Sequence, residues 1–253
     1  MNIDLNFLKD RPLSYSSLKE FSKSPSHYIN YVFSKREPSK EMNMGSLIHL
    51  LLLQPDEFSK QFAVSPSVDR RTAVGKEKYN EFVAQSEGKS VVSEEELELA
   101  NQICSRLLSN GSVKTYIDSC TAYEQEWKAD IHGLPFRGFI DGKADEYTIE
   151  IKTTSDASPD AFIRDFYNRK YHIQAALYYL ATGLMPIYIV IETKAPYNFF
   201  IANIHLDYIG LGLKEVEDLA NKFKECMTLS AWNTGYEFMQ DAPIVIKAPS
   251  WVK

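Results

Sequence analysis

Gly138-Phe139-Ile140-Asp141, followed after a short interval by Glu150-Ile151-Lys152, is the stretch on which the fold reading turns. On either side, Leu134 to Ile140 and Tyr147 to Thr153 are short runs of apolar and β-branched residues, parted by the polar Ala144-Asp145-Glu146-Tyr147. Such runs around such a break predict a β-hairpin. With the turn centred between Asp145 and Glu146, Asp141 faces Glu150, their Cβ atoms about 5 Å apart. A period of two puts Lys152 on the side of Glu150.

Two carboxylates in that relation repel, and a divalent cation between them relieves the repulsion. Hard Mg²⁺ or Mn²⁺ takes oxygen ligands, and a lysine one pleat away can orient water or offset charge on a phosphate. The same spacing also occurs in solvated hairpins with ordinary surface charges, so further signals matter. Gln174 and Tyr178 lie four apart in a helical run from about Tyr171 to Thr182 and share one face. Together they can bond a phosphate or a metal-bound water, or form the polar edge of an amphipathic helix. His49 interrupts the apolar segment Leu47 to Leu53, after Gly45-Ser46, and reads either as a core histidine or as a ligand. Glu124 and Glu126, on one face of a strand from Thr121 to Ile131, are candidate extra ligands. Their neighbours Asp118 and Asp130 favour a solvated charged face instead.

The order helix with Gly-x-x-x-His, strand ending Gly-x-x-Asp, strand with Glu-x-Lys, helix with Gln-x-x-x-Tyr resembles the PD-(D/E)XK nuclease superfamily, in its RecB and lambda-exonuclease branch. Tyr15-Ser16-Ser17-Leu18-Lys19-Glu20-Phe21, with Pro25 and Tyr28, and Met44-Gly45-Ser46-Leu47-Ile48-His49 look like the RecE-type exonucleases (exonuclease VIII) of phages and prophages. The resemblance spans about Leu13 to Ile204. It implies an α/β fold with a mixed central sheet flanked by helices, a restriction-endonuclease-like core behind an amino-terminal helical extension. It further implies that His49, Asp141, Glu150 and the main-chain carbonyl of Ile151 hold one or two Mg²⁺ ions, with Lys152 as the catalytic lysine. The implied activity is exonucleolytic hydrolysis from double-stranded DNA ends, 5′→3′, leaving 3′ single strands for a single-strand annealing protein. The implied assembly is a ring-shaped homo-oligomer. One departure is that Phe139-Ile140 stands where the broader pattern has Pro before its first acid. The alternatives are an endonuclease or single-strand trimming nuclease of this fold, or a noncatalytic DNA-binding module.

At 253 residues, 44% hydrophobic and 25% charged, the chain reads as one globular domain: a helical part to about 110, a core over about 111–230 and a tail over 231–253. No apolar run is long enough to span a bilayer, and the first residues show neither a basic nor an apolar leader region. A cytoplasmic location, in a bacterial or phage-infected cell, is expected. Cys104, Cys120 and Cys226 are widely spaced and read as reduced thiols. Three cannot supply the four ligands of an iron–sulfur cluster. The net charge of −6 weighs against a nucleic-acid partner unless basic residues gather on one surface. Arg70, Arg71 and Lys76, on a loop leading into a helix from about Gly75 to Gln85, are the best such group. Arg164, Arg169 and Lys170 form a weaker one.

Elsewhere, Ser17 with Glu20 predicts a capping box opening the first helix, and Gly45 to Leu53 predicts the helix bearing His49. A helix from Ser93 to about Leu108 is expected to stop at Asn110-Gly111. Strands are expected over Ile187 to Glu192 and Asn198 to His205, and a closing helix over Asp207 to Met227. Ala248 to Trp251 reads as an extended tail whose Trp docks on another surface.

Overall fold

The structure is a computed structural model that describes residues 5–35 and 38–248. From the amino end, α1 (Leu5–Asp10), α2 (Tyr15–Phe21) and α3 (Pro25–Phe33) precede α4 (Lys40–Leu53), which carries His49. The short α5 (Phe58–Gln61) leads into β1 (Phe62–Val64). After α6 (Ala73–Gln85), β2 (Ser90–Val92) returns to pair with β1 in parallel. Then come α7 (Glu94–Leu108), α8 (Gly111–Asp118), β3 (Ala122–Ile131), β4 (Leu134–Lys143) and β5 (Tyr147–Thr154). A crossover through α9 (Pro159–Asn168) and α10 (Tyr171–Thr182) reaches β6 (Met185–Glu192), β7 (Phe199–Asn203) and the closing α11 (Leu206–Leu229). The main sheet has the order β3-β4-β5-β6-β7, parallel between β5 and β6 and antiparallel elsewhere. It is the mixed sheet with flanking helices that the sequence predicts. No helix among the described residues is long and apolar enough to cross a membrane.

Local chemistry explains the elements. His132 and Gly133, with φ of 53° and 75°, form the two-residue turn that joins β3 to β4. Left-handed residues there match the twist of the strands. β6 is continuously buried from Ile187 to Ile191, as a strand covered on both faces must be. On one face, α4, α7 and α8 pack against Ile149, Ile151, Ile189 and Ile191. On the other, α2, α3, α10 and α11 pack against Trp127, Phe136 and Ile140, while α9 covers Tyr188 and Val190. The helices before residue 110 therefore contribute to both layers around the sheet.

Several elements differ from expectation. The capping box of α2 is Ser14 with Ser17, one turn before Ser17 with Glu20. Leu13 is pinned alongside β4 through Pro135 O and Arg137 N, both at 2.8 Å, so the chain stays extended until Ser14 and the helix starts there. α4 begins at Lys40 behind its Ser39 cap, a turn earlier than Gly45. Asn110 does not only end a helix, because its side chain accepts from Val113 N at 3.1 Å and opens α8. The helix α9 and the β1–β2 pair were not anticipated. Of the expected tail, Pro249 to Trp251 lies outside the described residues.

The α10–α11 contact gives the first prediction. A Cβ on Gly212 would come within 2.1 Å of the His172 carbonyl oxygen, a backbone atom that cannot step aside, whereas one on Gly210, two residues earlier, meets nothing within 4 Å. Gly212→Ala is expected to destabilise by about 1–3 kcal/mol through overpacking. Gly210→Ala is expected to be neutral or to stabilise by up to about 1 kcal/mol through helix propensity. Urea midpoints of the two variants check both.

Candidate metal centre

The expected register of β4 and β5 is present, with Gly142 opposite Ile149 and Lys143 opposite Thr148. Pairing stops there, one step short of Asp141 and Glu150. The strands part, and Asp141 Oδ2 accepts the N–H of Ile151 at 2.7 Å. The other edge of β4 is interrupted at the same place, for the β3–β4 ladder skips from Tyr123–Gly142 to Gln125–Ile140. Glu124, opposite Asp141, adopts φ of 48°, a left-handed conformation that a glutamate seldom takes without compensation. Around this double break β4 changes sides. Ile140 is buried against the α10 face, whereas a Cβ on Gly142 would press on Ile149 and Cys120 in the opposite core. Asp141 is thereby left in a notch between parted strands.

Three side chains meet in the notch. His49 Nδ1 lies 3.5 Å from Asp141 Oδ2 and 4.0 Å from Glu124 Oε1, and one donor atom from each residue falls within 4.8 Å of the others. His49 Nε2 bonds the carbonyl oxygen of Ile151 at 2.9 Å. A carbonyl only accepts, so Nε2 carries the proton and neutral Nδ1 turns its lone pair toward the two carboxylates. Burial raises the Asp141 pKa well above the carboxylate range, and the charge of Glu150 adds to it. Burial, then the Asp141 charge, pushes Glu124 up to about 7. Burial lowers the His49 pKa, against the pull of Glu150.

Beside the trio, Glu150 is almost wholly buried. Its Oε1 accepts from Lys152 Nζ at 2.5 Å and from Gln174 Nε2 at 2.8 Å, while its Oε2 has no hydrogen-bond partner. Burial alone would lower the Lys152 pKa, but Glu150, Tyr171 and Asp141 outweigh it and hold it above the ordinary lysine value. The ammonium also lies 4.7 Å from the centre of the Tyr171 ring. Gln174 Nε2 donates further to Tyr178 Oη at 2.9 Å, and Tyr178 Oη donates to the Phe139 carbonyl at 2.5 Å. These residues thus anchor Glu150 and β4 from beneath.

Residues expected to act together are placed differently. His49 and Asp141 lie together, 3.5 Å apart. Glu150 stands beside that pair, and the Ile151 carbonyl, expected to face a metal, is bonded by the imidazole. Gln174 and Tyr178, expected to contact DNA, are buried on protein partners. Glu124 joins the trio while Glu126 pairs at the surface with Lys128, 3.2 Å away. The two glutamates part company because the left-handed turn at Glu124 breaks the alternation. Only the register of β3, which places Glu124 opposite Asp141, could have revealed this. Arg70, Arg71 and Lys76 do not line the cleft around His49. Arg70 stacks on Tyr79 at 4.6 Å and borders a separate cavity of about 570 Å³ that also includes Lys40. Arg71 pairs with Asp69 at 3.0 Å, and Lys76 is exposed.

The donor set fits a divalent ion. An imidazole lone pair facing two carboxylates gathers three acceptors with no donor among them, and this oxygen-rich set suits a hard cation.

The family described as PDDEXK-like domain of unknown function (DUF3799) matches residues 14–238. A search of the curated proteins finds no sequence relative. Among solved structures, a provisionally assigned exonuclease from Eubacterium rectale superposes with a TM-score of 0.60 at 12% identity, covering 98% of this chain and 96% of its own. That likeness shows a shared fold. SSO0001 is more distant, with a TM-score of 0.31 at 17% identity over 72% of this chain and 87% of its own. The acid–acid–lysine notch, on a mixed sheet shared over nearly the whole length of a known structure, is in keeping with the family match, and the chain belongs to the PDDEXK-like family DUF3799.

Proposed function

We propose that this protein is a divalent-metal-dependent exodeoxyribonuclease that hydrolyses phosphodiester bonds from double-stranded DNA ends. The observation that carries the reading is the trio His49, Glu124 and Asp141 set against the Glu150–Lys152 pair where β4 and β5 part. His49, Glu124 and Asp141 would hold Mg²⁺ or Mn²⁺, and the resemblance to RecE-type enzymes adds Glu150 to the ligands. A bound ion there supplies Lewis-acid polarisation of the phosphodiester and a more acidic water. Lys152, kept protonated by its carboxylate neighbours, donates hydrogen bonds and sets a fixed positive charge where negative charge builds on the phosphate. Glu150 aims that ammonium, and Gln174 holds Glu150. Arg70, with Lys40 on the neighbouring cavity, Arg71 and Lys76 supply phosphate contacts outside the cleft.

The choice of ends over internal sites rests on the resemblance to RecE-type enzymes and on the exonuclease description of the Eubacterium rectale protein. The same resemblance supports 5′→3′ polarity, a ring-shaped homo-oligomer and hand-over of the 3′ strand to a single-strand annealing protein. The test is linear duplex labelled at each strand end, beside nicked and covalently closed circles, with Mg²⁺. Loss of the 5′ labels with the closed circle intact is the expected result. Equal attack on the closed circle would make the protein an endonuclease. Intact DNA with either Mg²⁺ or Mn²⁺ would make it a noncatalytic DNA-binding module.

A further inference from the structure

The turn from α9 into α10 runs through Arg169 and Lys170 and ends on Tyr171, whose ring centre lies 4.7 Å from Lys152 Nζ. A ring face attracts an ammonium, so Tyr171 and Glu150 hold this one from two sides. The turn itself is under strain. Lys170 adopts φ of 62° and ψ of 33°, the left-handed region that a lysine seldom enters, and no side chain caps the first turn of α10. Such a junction keeps its shape only where its surroundings fix it.

Glu215, on α11, supplies that constraint. Its Oε1 accepts from Lys170 Nζ, and its Oε2 accepts from His172 Nε2 at 2.7 Å. One carboxylate thus grips the residues immediately before and after Tyr171. His172 is fully buried, its ring nearly parallel to that of Tyr167 at 5.6 Å, so this arm of the grip has no room to swing. Gly212, on the same helix as Glu215, lets α11 come up against the His172 carbonyl. From the other side, Tyr15 Oη donates to the Arg169 carbonyl at 2.6 Å and ties the turn to α2. Both oxygens of Glu215 are spent on this clamp, and its route to the reacting atoms runs through Tyr171.

We propose that Glu215 is a positioning residue for the cleavage step: it clamps the turn between α9 and α10 so that the Tyr171 ring keeps the Lys152 ammonium in place. The proposal rests on the nuclease reading and gives α11, which carries none of the motif residues, a part in the chemistry. Its effect is on geometry, so it belongs to the rate of cleavage and not to the affinity for DNA.

The test uses linear duplex DNA, with single-turnover cleavage in Mg²⁺ for the rate and anisotropy with Ca²⁺ in place of Mg²⁺ for the Kd. A small misplacement of a reacting group is costly, so Glu215→Gln and Tyr171→Leu are each expected to lower the rate roughly ten- to a hundredfold with the Kd unchanged. The double variant is expected to be no slower than Tyr171→Leu, because both changes act through one ring. Glycine takes the left-handed backbone without strain, so adding Lys170→Gly to Glu215→Gln is expected to return most of the lost rate. A carboxylate that merely tied α10 to α11 would lower the melting temperature and leave the rate of the folded variant alone. Tyr171→Phe, which keeps the ring, is expected to cut at the wild-type rate, and this arm does not depend on how Glu215→Gln folds. A folded Glu215→Gln as fast as the wild type, losses that multiply in the double variant, or a Tyr171→Phe as slow as Tyr171→Leu would overturn the clamp and leave the nuclease reading standing. A wild-type protein that cuts no DNA would overturn both.

Discussion

Lys152→Ala is expected to lower the cleavage rate by on the order of 10³-fold or more while metal and DNA binding persist. The ammonium is aimed by Glu150 at 2.5 Å, lies over Tyr171, and is kept charged by the acids around it, so it offers preorganised positive charge that water in an alanine-sized gap does not replace. Deleting one such group in an enclosed site costs about 10²–10³ in rate, and a residue that also orients the attacking water falls at the upper end or beyond. The structure adds a second expectation. Lys152 and Glu150 form a buried ion pair, and removing one partner of such a pair destabilises by about 3–5 kcal/mol. Gln174 still bonds Glu150 and softens that loss, so the variant is expected to fold with a lowered melting temperature. Single-turnover cleavage, thermal melting and DNA anisotropy with Ca²⁺ together separate the effects. Unchanged turnover in a folded variant would remove Lys152 from the chemistry.

That the ion pair is buried could not be read from Glu-x-Lys alone, and the contrast shows what the sequence contains. The register of β4 and β5 was legible, because the polar break at Asp145-Glu146 and the alternation on either side leave one centre for the turn. So were β6 and α11, whose apolar periods are long. The parting of the strands at Asp141 was not. It arises from tertiary demands: a carboxylate takes a main-chain N–H, a helix far upstream in the chain brings in His49, and Glu124 accepts a left-handed backbone. The cap of α2 failed for the same kind of reason, since Leu13 is held extended by β4, distant in sequence. Motif residues thus announced themselves by chemical type. The partners of each, and with them the roles of Gln174 and Tyr178, depend on packing that no local pattern encodes.

Glu124 offers the sharpest test of that packing, and Glu124→Gln is expected to change both metal binding and the pH dependence of stability. In the folded protein its carboxyl is pushed up to about 7, whereas an unfolded glutamate titrates near 4.5. Between those values the folded state binds more protons than the unfolded one, so metal-free stability falls as pH rises from about 4.5 through about 7. Glutamine carries no titrating proton, and this contribution to the slope disappears. The metal-free variant should therefore gain on the wild type as pH rises across that window. With metal the order reverses. Replacing one of three converging ligands by a neutral carboxamide, which keeps an oxygen but loses the charge, is expected to weaken the ion on the order of 100-fold, as removal of the partners that merely orient metal ligands already costs 10–100-fold. At a metal concentration about 100 times the wild-type Kd, that loss removes roughly 2 kcal/mol of ligand stabilisation. For a chain of this size it corresponds to a melting temperature roughly 4–8 °C lower in Mn²⁺. Melting curves at pH 5 and pH 8, with Mn²⁺ and with chelator, read both effects at once. A variant whose Mn²⁺-induced shift equals that of the wild type would place the ion elsewhere, and the left-handed turn at Glu124 would need a cause other than metal binding.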